Sequence, residues 1–334
     1  MSSVFFGELM LRLTPAMPQQ QLIVAKNLSV DFAGAETNVA SSLARLGHEC
    51  HFVTKLPENP IAEHALASLH QYGISTAHTL RGGQRIGTYF IELGSSIRPS
   101  KVVYDRAYSS IAQISENEFD WAQIFANKQH FHLSGILPAL SEQCAAQSIK
   151  AAKIAREMGL SVSFDLNYRR SLWQDSRLAR DYFSQILTHS TLAFGNAGVM
   201  QDVFDFVPKS DDSTRAAQEI GVYLQDHFAV EAAITQRIHH SANRNTVRGF
   251  YLSGETVSAS NDITVDILDR LGTGDAFAAG ILHGLFQGWR KDRAVQFANA
   301  AFALGHTCYG DQNWLSEAEI MSVAQGNISG HIIR

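Results

Sequence analysis

Apolar residues recur along the chain with two spacings that alternate through most of its length. Short runs rich in β-branched and aromatic residues predict buried strands at residues 4–6, 51–54, 129–133, 161–165, 192–194 and 231–235. Between these runs, apolar residues at helical spacing predict helices over residues 38–46, 62–71, 141–158 and 213–227. Alternating strands and helices predict an α/β fold, with a mainly parallel central sheet covered by helices on both faces.

Residues 11–32 and 87–108 depart from this alternation, because both segments are strand-rich and partly polar. They predict a small β-sheet that forms a lid over a cleft, and the alternative is an extension at the edge of the main sheet. Three helices, predicted to begin near Thr273, Arg293 and Ser316, complete the chain. We expect residues 1–334 to form a single domain that contains the lid.

The net charge and the cysteines indicate which binding partners and which cellular compartment are compatible with the sequence. A formal net charge of -5 argues against nucleic acid or an anionic membrane surface as a partner. Cys50, Cys144 and Cys308 lie far apart in sequence and form no CxxC pair, which argues against a disulfide framework or a cysteine zinc site. No apolar run approaches the ~18 residues of a membrane span. These features predict a cytoplasmic protein.

The segment at residues 269–280 places a carboxylate behind two glycines at the start of an apolar helix. Gly272 and Gly274 permit close approach of an anion to the backbone, and the free N–H groups of a helix N-terminus attract it. Asp275 would then lie beside the anion, where a base takes a proton from an attacking hydroxyl. The alternative is that Asp275 is only a favourable charge in the first helical turn.

In two segments, the order of the residues is more informative than the composition alone. Residues 33–40 read AGAETNVA, and residues 269–277 read DRLGTGDAF. In order and separation they resemble the GGxxxNxA and DxxGxGDxF motifs of the ribokinase-like (PfkB) carbohydrate kinases. The resemblance implies a three-layer αβα fold and ATP-dependent phosphoryl transfer. It also implies that Asp275 is the general base and that Gly272, Thr273 and Gly274 form the anion hole.

Further stretches resemble one branch of that family, the 2-keto-3-deoxygluconate kinases. They are residues 7–13, 98–107, 165–169, 172–173, 306–307 and 310–311. This resemblance implies that 2-keto-3-deoxy-D-gluconate is converted to its 6-phosphate, and that the protein forms a homodimer or a higher homo-oligomer. A fructokinase-like or other neutral-sugar kinase is the alternative, as is a catalytically weak sugar-binding relative. A dinucleotide-dependent oxidoreductase is disfavoured, because no GxGxxG follows the first strand.

The predicted substrate site is rich in arginine, which suits an acidic sugar. Neutral-sugar kinases of the family place an aspartate where this chain has Arg12, and a guanidinium forms bidentate pairs with carboxylate or phosphate. By resemblance, Arg106 approaches the sugar acid and Arg169 lies between substrate and transferring phosphate. The full predicted substrate set is Gly34, Asn38, Arg12, Tyr89, Tyr104, Arg106, Arg169 and Asp275.

Simpler roles remain open for several of these residues. A surface ion pair is the alternative for each arginine, and ordinary packing is the alternative for Tyr89 and Tyr104. Asn38 is also a candidate helix cap. For Glu36, the sequence allows either role, substrate binding or helix capping.

The predicted nucleotide site takes residues from strand ends and helix starts. By resemblance it comprises Asn196, Thr235, Gly272, Gly274 and Asn299. A polar residue on a buried helix is the alternative for Asn299.

The family resemblance implies Mg²⁺, but its protein ligands stay unknown. Many relatives carry a glutamate at the position of Val199, so the nucleotide phosphates would hold most of the ion. Asp202, one helical turn further on, is the alternative acidic ligand. The resemblance also allows a monovalent cation such as K⁺ near Asp269 and Gly310.

Overall fold

The computed structural model describes residues 1–328 and residue 330. The strands, in chain order, are β1 Ser2–Phe6, β2 Met10–Pro15, β3 Leu28–Ala33, β4 Glu49–Val53, β5 Lys55–Leu56, β6 Leu80–Arg81, β7 Gly87–Glu92, β8 Lys101–Asp105, β9 His130–Ser134, β10 Ser161–Asp165, β11 Leu192–Gly195, β12 Glu231–Ser241, β13 Arg244–Ser253, β14 Thr256–Ala259 and β15 Ile263–Asp266. The helices are α1 Ala35–Arg45, α2 Pro60–Gln71, α3 Trp121–Phe125, α4 Glu142–Glu157, α5 Ser176–Leu187, α6 Ala197–Phe204, α7 Ser213–Phe228, α8 Thr273–Phe286, α9 Lys291–Gly305 and α10 Glu317–Ala324.

The main sheet follows the order β14-β13-β12-β11-β10-β9-β1-β4, with β15 paired to β13. Pairing is parallel from β4 to β12 and antiparallel from β12 outward. Strand β9 is buried along its whole length, as a strand covered on both faces must be. The predicted α/β fold with a mainly parallel sheet is therefore confirmed.

Neighbouring residues of the central strands point into two different cores. Phe6 belongs to the core that the sheet shares with α3 to α7, whereas Phe5 belongs to the core beneath α1, α2 and α8 to α10. This alternation follows from the two-residue period of a strand. It produces three layers, helix, sheet and helix, as the resemblance implied. Within the described residues, no helix has the length and apolar character needed to cross a bilayer.

The two segments that break the alternation form a sheet of their own. Strands β3, β2, β7 and β8 pair in that order and are not part of the main sheet, so the alternative of an edge extension is wrong. We call this the small sheet. Its inner face carries Arg12 and Tyr89, which contact Asp269, in the loop before α8, and Asp311, in the loop after α9. The small sheet therefore lies beside the segment at residues 269–280, the candidate anion site predicted from the sequence.

Candidate active site

A cavity of about 680 Å³ opens at the carboxyl ends of β10 and β11 and beside the middle of β12. Ligands of open α/β sheets bind at this edge. Its lining includes these residues from the predicted set: Arg169, Asn196, Thr235, Gly272, Gly274 and Asp275. Residues from four separate stretches of sequence thus share one cavity.

The N-terminus of α8 forms one wall, and its two glycines have different reasons to be glycine. Gly272 has φ 71°, and a Cβ there would lie 1.9 Å from the carbonyl oxygen of Asp311, so a side chain is excluded twice. A Cβ on Gly274 would meet no protein atom within 4 Å. The missing side chain at Gly274 therefore leaves free volume at the helix N-terminus, where an anion is stabilised.

Asp275 is only 8% exposed, and Nδ2 of Asn38 donates to its Oδ2 at 2.7 Å. Burial raises the pKa of Asp275 to about 7, although the hydrogen bond from Asn38 and the charge of Arg169 oppose the shift. A carboxylate with a pKa near 7 is suited to general base catalysis at neutral pH. A favourable first-turn charge would not require this burial.

Two more acidic residues lie close enough to Asp275 for its charge to influence their ionisation. Burial raises the pKa of Glu36 to about 7 and that of Asp165 to about 8, and in both cases the charge of Asp275 adds to the effect. Glu36 neither caps its helix nor faces the cavity. It accepts the backbone N–H of Ser134 at 3.0 Å. The three carboxyl groups form a buried acidic cluster that holds protons more tightly than free acids.

Helix α1 begins at Ala35, three residues before the predicted start, with Gly34 as its N-cap. The alternative role of Asn38 as a helix cap is therefore wrong, because Asn38 lies within the helix. A Cβ on Gly34 would lie 2.0 Å from the carbonyl oxygen of Glu8. This close approach explains the glycine and brings the start of α1 against the end of β1.

Arg12 does not lie in the open cavity. Its guanidinium is 2% exposed and pairs with both Asp269 and Asp311, while Tyr89 donates to Asp311 at 2.9 Å. The expectation that Arg12 contacts the carboxylate of the substrate is corrected here, because two protein carboxylates already neutralise it. A guanidinium also supplies positive charge beside Asp269, where the family resemblance allows a monovalent cation.

Arg106 is likewise paired inside the protein, with the buried carboxylate of Glu8. Ser109 donates to the same carboxylate at 2.6 Å, and the ring of Tyr104 lies 5.4 Å from the guanidinium. Tyr104 itself is 40% exposed. Glu8 therefore fixes the position of Arg106 beside an accessible aromatic ring, and a direct role of Arg106 in substrate binding stays a prediction.

The predicted nucleotide residues divide into two groups. Asn196 and Thr235 line the cavity, although the side chain of Asn196 also caps α6 by accepting the N–H of Val199 at 3.1 Å. Asn299 is fully buried and donates to the carbonyl oxygens of Val247 and Asn261. Its contacts favour the structural alternative for Asn299.

Several residues of this region were not singled out from the sequence. Glu8 and Asp311 hold two of the predicted arginines, and Arg237 and Arg270 line the cavity. Glu8, Asp311 and Arg270 are charged residues within the quoted motifs, and Arg237 follows the predicted nucleotide residue Thr235 by two positions; the sequence offered no other signal. Their partners lie too far away along the chain to be inferred locally.

Comparisons with known proteins agree with this arrangement. The sequence model described as pfkB family carbohydrate kinase matches residues 2–318. A 2-dehydro-3-deoxygalactonokinase of Haloferax volcanii is 31% identical over 328 residues, 98% of each chain. A 2-dehydro-3-deoxygluconokinase of Bacillus subtilis is 27% identical over 322 residues, 96% of this chain and 94% of the relative.

A solved structure extends the similarity to three dimensions. It is the 2-dehydro-3-deoxygluconokinase of Thermotoga maritima, which superposes with a TM-score of 0.94. The two chains are 36% identical, and the match covers 98% of this chain and 100% of that one.

Proposed function

The chain belongs to the pfkB family of carbohydrate kinases, and we propose that it transfers the γ-phosphoryl group of ATP to 2-keto-3-deoxy-D-gluconate, forming the 6-phosphate. One observation carries the proposal: the buried base Asp275 shares a cavity with the guanidinium of Arg169, beside the open N-terminus of α8. Relatives named for 2-dehydro-3-deoxy sugar acids, the same class of compound, support the choice of substrate.

In this proposal the terminal hydroxyl of the sugar acid gives its proton to Asp275 and attacks the γ-phosphorus. The N–H groups at Gly272, Thr273 and Gly274 stabilise the charge on the transferring phosphoryl group. Arg169 lies where it can approach both the substrate and that group. The small sheet acts as the lid that excludes water from the reaction.

Membership of this kinase family implies that ATP is the phosphoryl donor, and we propose that Mg²⁺ binds together with ATP. The described residues contain no group of three or more His, Cys, Asp or Glu side chains placed to hold a metal. Asp202, the acid considered as a substitute at this position, is paired with Arg170 at 2.7 Å. The protein residues do not fit a dedicated magnesium site, so the nucleotide phosphates and water would supply its ligands.

A substrate panel tests the proposal. Purified protein is assayed by ADP release with ATP, Mg²⁺ and each of 2-keto-3-deoxygluconate, 2-keto-3-deoxygalactonate, fructose and ribose. We expect both sugar acids to have a far higher kcat/KM than either neutral sugar, because a guanidinium pairs with a carboxylate more strongly than with a hydroxyl. A preference for fructose or ribose would contradict the proposed substrate.

A neutral-sugar kinase remains the second candidate, and a specific observation favours it. Arg12 and Arg106, two of the three arginines expected to attract an acid, are already paired with protein carboxylates. The same panel distinguishes this candidate. Binding of sugars without ADP release would instead support a catalytically weak relative, for which Val199 and Ala33 are the sequence departures.

We also propose that residues 1–334 act as one domain in a reducing, cytoplasmic setting. A buried ion pair between Arg12 and Asp269 joins the small sheet to the loop before α8, and the cysteines are free thiols. Limited proteolysis followed by mass spectrometry tests the single domain. Separation into two stable fragments would contradict it.

A homodimer is proposed through the outer face of the small sheet. The strand register places Val30, Leu13, Phe90 and Val103 in one row across all four strands, with Val30 and Val103 at least half exposed. An exposed apolar row of this kind is typical of an interface. We expect Val103→Asp to halve the mass measured by light scattering.

A matched control for the dimer uses an exposed leucine elsewhere. Leu178 on α5 is similarly accessible and lies on the main body, so Leu178→Asp should leave the mass unchanged. A wild-type protein that is monomeric at micromolar concentration would rule out the proposed interface.

A further inference from the structure

Three guanidinium groups line the cavity without an acidic partner. They belong to Arg169, Arg237 and Arg270, and none forms an ion pair with any carboxylate of residues 1–328. The contrast with Arg170 is direct, because this immediate neighbour of Arg169 pairs with Asp202. The cavity therefore contains three guanidinium groups that are not held in ion pairs, although Asp165, Asp202 and Asp275 also line it.

Arg237 is held in place by two contacts. Its guanidinium lies over the ring of Phe302, with its central carbon 4.9 Å from the ring centroid, and donates to Oγ1 of Thr273 at 3.0 Å. Thr273 is the first residue of α8, and its hydroxyl donates in turn to the carbonyl oxygen of Arg270 at 3.0 Å. The guanidinium is thus fixed beside the helix N-terminus.

Most of the hydrogen-bonding capacity of Arg237 is unused. A guanidinium has five N–H donors, and among the described residues the side chain of Arg237 makes one hydrogen bond, to Thr273. Arg270 contributes another fixed guanidinium, which donates to the carbonyl oxygen of Ala242 at 2.6 Å. Such a planar, preorganised donor set matches the oxygens of a phosphate.

The protein alone leaves this charge unfavourable. The side chain of Arg237 stays accessible to solvent through the open mouth of the cavity. Partial desolvation by the surrounding walls, together with the charges of Arg270 and Arg169, lowers its pKa to about 10. The positive end of α8 adds to the same electrostatic potential. A polyanion bound in the cavity would offset this repulsion, and among the described residues no carboxylate forms an ion pair with Arg237.

We propose that Arg237 is a phosphate-binding residue, which contacts the terminal phosphates of the nucleotide and stabilises the charge that develops on ADP. In the reaction, a bond forms between the substrate hydroxyl oxygen and the γ-phosphorus. The bond from that phosphorus to the β–γ bridging oxygen breaks, and its electron pair remains on ADP. The hydroxyl proton passes to Asp275. Arg237 donates to the oxygens that gain this charge.

This role is separate from the predicted nucleotide residues Asn196 and Thr235. It requires the kinase activity of the family, and it does not depend on the identity of the sugar. The arginine also offsets phosphate charge in a cavity whose described residues form no group of three or more metal ligands.

Nucleotide binding without turnover tests the proposal. The dissociation constants of adenosine, ADP and a non-hydrolysable ATP analogue with Mg²⁺ are measured by calorimetry for the wild type and for Arg237→Gln, with no sugar present. We expect the variant to bind the ATP analogue about 10- to 10²-fold more weakly, the range for charge-assisted hydrogen bonds. Adenosine affinity should stay unchanged, because adenosine has no phosphate.

Arg244→Gln is the matched control. Arg244 lies on β13, the partner strand of the same hairpin, and its guanidinium is 3.8 Å from Asp266 outside the cavity. We expect its nucleotide affinities to equal those of the wild type. An equal loss for adenosine and the ATP analogue in Arg237→Gln would show a structural role and overturn the proposal. Unchanged affinity for the ATP analogue would also overturn it.

Arg237→Lys keeps the test decisive if the glutamine variant does not fold. Lysine retains the charge but loses the planar set of donors. We therefore expect the affinity of Arg237→Lys for the ATP analogue to lie between those of the wild type and Arg237→Gln. Its affinity for adenosine should equal that of the wild type. A lysine variant with the wild-type ratio of the two affinities would contradict a directed guanidinium contact. Loss of activity on sugar acids alone would refute only the proposed substrate.

Discussion

Replacing Asp275 with asparagine is expected to lower kcat by about 10²- to 10⁴-fold, the usual contribution of a positioned general base. The side chain is buried and held by Asn38 at 2.7 Å, so the amide keeps the shape of the site while losing the ability to accept the proton. Steady-state kinetics with the best substrate of the panel measure the change. Turnover close to that of the wild type would exclude Asp275 as the base.

The pH dependence gives the same prediction a second readout. A base acts only when deprotonated, and the pKa of Asp275 is raised to about 7. Wild-type kcat/KM should therefore rise with pH up to about 7 and level off above it. The residual activity of Asp275→Asn should lack this rise, because an amide does not titrate in this range.

Stability measurements separate loss of chemistry from loss of fold. A carboxyl group whose pKa rises on folding binds its proton more tightly in the native state, so its contribution to stability declines as pH rises from its usual value of 3.8 towards about 7. Asp275→Asn removes this buried charge. The variant should therefore melt at a temperature no lower than the wild type at pH 8.

The local pattern predicted the central strands because a strand buried on both faces is a continuous apolar run. It predicted the main helices because one apolar face leaves apolar residues at helical spacing. Strand β12 shows where the strand signal fails. Its first residues are buried, but Arg237 to Ser241 are mostly exposed and polar, so no apolar alternation marks the second half. The hairpin it forms with β13 was missed for that reason.

Pairing between distant charges was beyond the reach of local patterns. Arg12 and Asp311 are 299 positions apart, and Arg106 and Glu8 are 98 apart. The sequence correctly marked the arginines as unusual, but only the fold determines which of them meet protein carboxylates. Arg169 remains the predicted substrate arginine without such a partner among the described residues.

Arg169→Gln is therefore expected to lower kcat/KM for the sugar acid by about 10²- to 10³-fold, as removal of one donor to developing charge typically does. Arg170→Gln is the matched control, because Arg170 is the next residue, is 79% exposed and pairs with Asp202. Its kinetics should match the wild type. Equal losses in the two variants would mean that the loop, and not the guanidinium of Arg169, is responsible.

A shift in the pH profile distinguishes a direct electrostatic role of Arg169 from a merely structural one. The charge of Arg169 lowers the pKa of both Asp275 and Asp165, against the larger opposing effect of burial. Without that charge, the proton on Asp275 is held more tightly, so the base is formed only at higher pH. In Arg169→Gln, kcat/KM should therefore begin to rise at a higher pH than in the wild type. A loop that is only displaced from the cavity would instead lower the maximum of kcat/KM and leave the pH of the rise unchanged.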